Sequence, residues 1–440
     1  MITRLILRLG LLISIFIAVG CIIALSVGGT IPTTRVVGYL SNLRDETHAF
    51  GIADINRRVF TIAPVPFESD WQVIFSPDGE RALMTVDFYG QVEFYILDLR
   101  TYAVTRFPLG YNVCAPPRET IRWSPNSDYV LFHCRPNTIT SELNGLQMWY
   151  VDSNTIERLY EPLGFELVPY TWSPNGEYLS IINNGVVVII NIATRQVLRP
   201  SSTEQAYSAM QWSPQGNQVA LTAQNRLFIY DLSSRTTTPI LEDVDSGVAY
   251  WSPNGEWIAT ISQKAGYSTV YTWDLVDGRA YKMGTDRHPM NMSVDIRWSG
   301  DSEWLLIQQD VNQADRLAPI FLTSRDGVEG HLITTDGRNP RWIGDSLAIT
   351  YNVNQTERLR FGRDLVSVML PDIQAQNPIP RLWSMDVLSH IWLDDGRLLT
   401  WQSIDRYGGT RAIKISPASG GLGWSLFPAT YSVNQVVVWR

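Results

Sequence analysis

Trp172-Ser173-Pro174-Asn175-Gly176-Glu177 decides the reading of this chain, because the same hexapeptide, lightly edited, returns along nearly its whole length. It reads Phe75-Ser76-Pro77-Asp78-Gly79-Glu80, Trp123-Ser124-Pro125-Asn126-Ser127-Asp128, Trp212-Ser213-Pro214-Gln215-Gly216-Asn217, Trp251-Ser252-Pro253-Asn254-Gly255-Glu256 and Trp298-Ser299-Gly300-Asp301-Ser302-Glu303. Worn copies follow at Trp342-Ile343-Gly344-Asp345-Ser346 and Trp392-Leu393-Asp394-Asp395-Gly396, and Trp439 stands where a further copy would start. Successive aromatic residues are 48, 49, 40, 39, 47, 44, 50 and 47 positions apart. A period of this size is that of an array or a propeller.

Ser-Pro-Asn-Gly is a turn with a mechanism: proline presets φ, Asn or Asp suits the next position, and Gly takes the left-handed conformation that lets a second strand leave. Each copy is therefore a hairpin tip. Apolar runs follow it at 81–86, 129–134, 178–182, 218–222 and 257–261, then second runs ending in Asp or Asn at 92–98, 146–152, 186–191, 226–231 and 269–274. One more turn and run complete a four-stranded meander, a–b–c–d. Helical periodicity is absent and β-branched and aromatic residues fill the runs, so the fold class is all-β. A meander with two apolar faces buries both only by stacking on neighbours around an axis, which predicts one large propeller of four-stranded blades with the repeated Trp wedged between them.

The Trp-Ser-Pro-Asp/Asn-Gly hairpins, followed by a strand ending in Asp98-Leu99-Arg100-Thr101 or Asp231-Leu232-Ser233-Ser234, resemble the WD-like blade repeat of TolB-type propellers. The resemblance covers 36–440. It implies the fold, and leaves function open among interaction proteins, propeller domains of peptidases and polysaccharide lyases.

The repeat supersedes the two or three domains that 440 residues would allow. Apolar residues at 45% supply a large core, and charged ones are 18%. A net charge of −8 without a basic run argues against nucleic acid as a partner. Residues 1–30 are expected to form a transmembrane anchor: Leu9 to Val27 carries no charge, Arg4 and Arg8 precede it, and Arg35 is the first positive residue after it. This predicts a single-pass protein of the cell membrane with the N-terminus cytoplasmic and the propeller extracytoplasmic. A cleaved signal peptide is the rival, and Ala18-Val19-Gly20-Cys21 also resembles a lipobox. A linker at 31–35 leads into the propeller, 36–440, whose first blade lacks strand a; the run at 433–439 is expected to supply it. The repeat then counts nine blades, with eight plus terminal decoration, or two smaller rings, as alternatives.

In a meander the a–b and c–d turns share one rim, and the b–c and d–a connections share the other. The second rim carries the irregular loops, so binding is expected there, through Arg118, Arg135, Tyr267, Arg287, His288, Arg316, Arg358, Arg360, Arg363, Arg406 and Tyr407, residue types enriched at interface hot spots. Arg122, Arg297 and Arg341 each precede the repeated Trp and are expected at the axial channel with Asp295 and His390, either gripping an oxyanion or pairing between blades. Cys114 and Cys134 are candidates for a disulfide within one unit.

Signals of catalysis are weak. There is no Gly-x-Ser-x-Gly elbow, His-Glu-x-x-His, Cys-x-x-Cys or phosphate-cradling Gly-Lys-Ser/Thr, and His48, His133, His288, His331 and His390 fall in different repeats. Asp310-x-Asn312-x-x-Asp315 has neither the spacing nor the glycine of a calcium loop. No cofactor and no metal are implied. The expectation is a non-catalytic platform for a protein or cell-envelope component; the alternatives are a propeller enzyme, such as a polysaccharide lyase or hydrolase with a channel-mouth site, and a small-ligand sensor.

Overall fold

A computed structural model describes residues 35–42, 48–56, 58–64, 71–88, 91–109, 120–134, 144–161, 168–200, 206–242, 249–264, 267–283, 294–309, 318–343, 348–353, 363–374, 380–393, 397–403, 411–416, 424–427 and 431–439. Their strands form six four-stranded antiparallel sheets and one ten-stranded sheet. In the first sheet Arg35–Asn42, His48–Asp54 and Val59–Pro64 are joined by Tyr431–Trp439, so the last strand of the chain lies beside the first, with Val36 opposite Val438. Five more sheets begin at Trp71–Phe75, Arg122–Trp123, Tyr170–Trp172, Tyr207–Trp212 and Ala249–Trp251, and each runs in chain order. The ten-stranded sheet begins at Val294–Trp298 and departs from the simple repeat. Gly330–Ile343 closes one meander against Ala318–Ser324 and opens the next against Ala348–Val353; Arg381–Trp392 does the same between Arg363–Met369 and Leu398–Ser403. The worn hexapeptides fall at these shared strands.

The hairpin chemistry repeats atom for atom. Ser76, Ser124, Ser173, Ser213, Ser252 and Ser299 are fully buried, and each hydroxyl accepts the backbone N–H five residues on, at 2.9–3.1 Å. Most also donate to the Asp or Asn two residues on, as Ser173 does to Asn175 at 2.7 Å. The fourth position takes positive φ: Gly255 lies at 72°, while Ser127 and Ser302 adopt 64° without being glycine. The two serines are explained by their neighbours. Ser127 Oγ accepts the N–H of Asp78 and Ser302 Oγ that of Asn254, both at 3.1 Å, so each ties its own tip to the preceding one. Where the position is Gly216 or Gly255, a Cβ would press on the Asn175 or Gln215 side chain of the preceding tip. Consecutive tips thus touch in series along one rim. At the c–d turns an Asp caps the backbone: Asp231 accepts Ser233 N and Ser234 N at 3.0 and 2.9 Å. Burial raises that carboxyl, and hydrogen bonds from Ser233, Ser234 and Gln218 outweigh it, holding the group well below the usual carboxylate range.

The tryptophans join sheet to sheet. Trp123, Trp251, Trp298 and Trp342 each donate Nε1–H to the carbonyl of the residue before the aromatic of the preceding unit: Ile74, Gln211, Tyr250 and Arg297, at 3.0, 3.3, 2.8 and 3.3 Å. Trp212 reaches Thr171 O at 3.4 Å and also Ser180 Oγ at 2.9 Å; Trp392 reaches Thr350 Oγ1 at 3.1 Å. Trp172 breaks the series, its buried Nε1 having no partner. Apolar clusters fill the spaces between sheets, such as Leu83, Phe94, Phe107, Trp123, Phe132 and Trp149 between the second and third. One indole bond contributes about 0.5–1.5 kcal/mol and each fully buried aliphatic side chain about 1.5–3 kcal/mol, so the clusters hold the sheets together and the indoles set their registration.

The expected membrane anchorage is corrected. Among the described residues the helix is Leu370–Gln374, five residues long, and no helix is long and apolar enough to cross a membrane. Apolar runs here are strands that alternate between two sheet faces, each face covered by a neighbouring sheet. The segment 9–27 and Cys21 lie outside the described residues, and the single-pass, extracytoplasmic placement drawn from them is withdrawn.

Trp212→Phe strips a buried donor from two acceptors, whereas Trp172→Phe removes a donor that has none. The first is expected to cost about 1–3 kcal/mol more than the second in urea unfolding; equal losses would show that the indole N–H plays no part in registration.

Candidate functional site

The first strand forms an edge of its sheet, and neighbouring sheets approach each other there, as Ala249–Trp251 approaches Val294–Trp298 and Tyr207–Trp212 approaches Tyr178–Asn183. The residue before each aromatic therefore sits on the inner edge. At that position stand Ile74, Arg122, Thr171, Gln211, Tyr250, Arg297 and Arg341.

Tyr250, Arg297 and Arg341 lie on successive first strands, held side by side by the Trp298 and Trp342 indole bonds. Asp295 and Arg297 share a strand face, two residues apart, and pair at 2.6 Å with both side chains about 28–29% exposed. This is pairing within one strand. Arg297 Nε is buried without an acceptor. Burial, and then the Asp295 charge, raise the Tyr250 phenol above its ordinary value against the opposing Arg297 charge, so its hydroxyl stays a donor. Arg341 is exposed and has no acceptor among the described residues. Arg122 is separated from this group by the sheets that begin at Tyr170 and Tyr207; it is exposed, and its Nη1 donates to the Ile121 carbonyl at 2.8 Å. Beside it the Tyr170 hydroxyl donates to the Thr120 carbonyl, and burial raises that phenol strongly against the Arg122 charge.

His390 is buried on Arg381–Trp392, its Nε2 3.0 Å from Thr350 Oγ1, which also accepts the Trp392 indole. Burial, helped by the positive Arg297 nearby, lowers the imidazole to about 4, so it is neutral near pH 7. Two residues from Thr350, on the same strand face, Asn352 is buried with neither carboxamide atom partnered; Thr400, opposite His390 in register, has an unpartnered hydroxyl. Sequence reasoning missed Thr350, Asn352 and Thr400, since nothing in a strand pattern distinguishes a buried polar residue from a solvated one. Tyr250 was findable, because it occupies the repeat position of the three arginines.

Of the other expected site residues, Arg118, Arg135, Arg287, His288, Arg316, Arg358, Arg360, Arg406 and Tyr407 lie outside the described residues. Tyr267 and Arg363 begin the third strands of their meanders, Tyr267–Asp274 and Arg363–Met369, at the b–c end. Cys134 is buried and disulfide-bonded, and Cys114 lies outside the described residues.

Among solved structures, a eukaryotic initiation factor has TM-score 0.62 at 14% identity, over 93% of this chain and 99% of that one. The chain is a β-propeller. Dipeptidyl peptidase 4 from Porphyromonas gingivalis has TM-score 0.51 at 13% identity, over 79% of this chain and 58% of the peptidase; TolB from Acinetobacter baumannii is 14% identical over 56% of this chain and 62% of that one, with TM-score 0.31. The family described as Eukaryotic translation initiation factor eIF2A matches residues 112–279, less than half of the propeller. No curated protein is matched. The propeller that the TolB-type repeat implied is the fold observed, and at these identities the likeness is one of fold.

Because the folded imidazole titrates below its unfolded value near 6.5, His390 costs nothing above about pH 6.5 and destabilises progressively as pH falls toward 4. Between pH 7.5 and 5 the wild type is expected to lose about 2 kcal/mol through this residue, read as a drop in urea midpoint that His390→Gln lacks. Identical pH profiles for the two proteins would refute it.

Proposed function

We propose that the protein is a non-catalytic binding platform, a nine-bladed propeller that holds a protein partner on the rim of its long b–c and d–a connections. The observation that carries this reading is the end-to-end match: the initiation factor is covered over 99% of its length, whereas the peptidase is covered over 58%. The aromatic repeat supports nine blades, as do the apolar clusters among the described residues, which succeed one another from sheet to sheet. They return to the start in Val36, Leu40, Ile55, Leu393, Ile415 and Phe427. Arg397 Nη2 meets Asn56 Oδ1 across the same junction at 2.8 Å. On this reading the two shared strands, Gly330–Ile343 and Arg381–Trp392, divide the ten-stranded sheet into three blades.

The described histidines support a binding role over catalysis. His48 stacks on Tyr39 at 5.3 Å, His133 Nε2 lies 3.1 Å from Val168 O, His331 is 4.0 Å from Glu329, and His390 meets Thr350. They belong to four blades and share no centre, and among the described residues no three His, Cys, Asp or Glu side chains gather as a metal set. The proposed contact residues remain the loop arginines and aromatics, with Cys114–Cys134 as the proposed staple of one loop. A second reading places the partner in the translation apparatus, favoured by a family match and a fold match that both name initiation factors. The net charge of −8 favours protein over RNA as what is touched.

Full-length protein is expected to capture a polypeptide identifiable by mass spectrometry, with co-sedimentation on ribosomal subunits supporting the second reading. Replacing Arg358, Arg360 and Arg363 by Ala is expected to weaken capture about tenfold or more without moving the urea midpoint. Capture unaffected by that change, together with turnover of an oligosaccharide or peptide, would overturn the platform.

A further inference from the structure

Among the described residues, the inner arc that carries Tyr250, Asp295, Arg297 and Arg341 has donors without acceptors. Arg297 gives one guanidinium edge to Asp295 at 2.6 Å, and its Nε, buried, faces nothing. Arg341, at the same repeat position on the next first strand, is exposed with no acceptor among the described residues. The Trp342 indole bond to the Arg297 carbonyl, at 3.3 Å, fixes the two strands beside each other, and the Trp298 bond to the Tyr250 carbonyl, at 2.8 Å, adds the third. Guanidinium donors on adjacent strands with a phenol alongside form an oxyanion grip whose geometry the main chain already sets.

Charge selects among oxyanions. Two arginines less one aspartate leave the arc at +1. A single carboxylate neutralises that, while a phosphate dianion would overshoot it and lie against Asp295.

We propose that Arg297, Arg341 and the Tyr250 hydroxyl form a binding site for a carboxylate presented by an acidic peptide segment entering the propeller axis. The site deepens the platform reading and rests on it. One carboxylate oxygen accepts from the accessible end of the Arg297 guanidinium, the other from Arg341 and the Tyr250 hydroxyl, and Asp295 holds the Arg297 plane in place. Arg122, on a distant blade, takes no part.

The test is fluorescence anisotropy of a labelled, N-acetylated hexaglutamate peptide titrated with the full chain at low salt. Arg341→Ala, an exposed position at which folding is preserved, is expected to weaken binding about tenfold, the loss of one charge-assisted contact. Arg341→Glu is expected to abolish binding, and Arg122→Ala to leave it unchanged. Acetate, a single carboxylate, should displace the peptide at lower concentration than inorganic phosphate. No binding, equal binding by Arg341→Ala, an equal loss in Arg122→Ala, or phosphate displacing better than acetate each overturns the assignment. If a protein partner is still captured while hexaglutamate fails to bind, the platform stands and this site falls; if hexaglutamate binds through Arg341 and no partner is captured, the reverse holds.

Discussion

A tryptophan that must satisfy its indole N–H sets the spacing of this fold. Along most of the ring the donor reaches back into the preceding sheet and finds a carbonyl on its inner strand, as Trp298 finds Tyr250. A carbonyl on an inner edge strand is free to accept because no further strand pairs with that edge. One residue thus wedges two sheets apart by a ring's width and fixes their relative height. Height matters because the side chain before each aromatic rides on the same strand, so the indole bonds decide which inner residues become neighbours. Arg297 and Arg341 are adjacent for that reason.

The tips carry the second constraint. The left-handed position of each a–b turn is also where consecutive tips meet, so its occupant answers to two demands. Glycine meets the conformational demand and leaves room for the neighbour's Asn or Gln. Serine at 127 and 302 accepts an unfavourable φ and recovers a hydrogen bond to the preceding tip's backbone. The hexapeptide's tolerance of Ser in place of Gly therefore reflects contacts between blades and does not signal decay of the repeat.

This explains how much was legible in the chain. Strand existence, hairpin position and the inner placement of the residues before each Trp follow from local turn chemistry that recurs, and recurrence makes a weak local signal strong. The shared strands were not legible: around Trp342 and Trp392 the approach to the hexapeptide lacks a turn, so Gly330–Ile343 and Arg381–Trp392 run on through two blades. Both strands carry bulges, with register shifts between Arg338 and Arg341 and between Val387 and Ser389. The site was legible only in its residue types. Pairing Arg297 with Asp295 on its own strand, and His390 with Thr350 across blades, depends on sheet stacking that no local pattern encodes.

Among the described residues the smallest apolar cluster lies between the last two blades. It is Leu365, Val387 and Leu398 with Trp392 beside them, whereas ten buried residues close the ring between last and first. Into this seam project Thr350, Asn352, His390 and Thr400, buried and only partly hydrogen-bonded. The shared strand Arg381–Trp392 explains why the seam tolerates them, since its backbone ladder joins both blades without help from side chains. Continuity alone does not dictate polarity, because Gly330–Ile343 also spans two blades yet borders a cluster with Leu306, Ile320, Leu322, Ile349 and Tyr351. The polar seam is therefore a property of these side chains, and its cost is limited by keeping His390 neutral. The positive Arg297 nearby adds to burial in that direction, so the group that shapes the inner edge also guards the seam behind it.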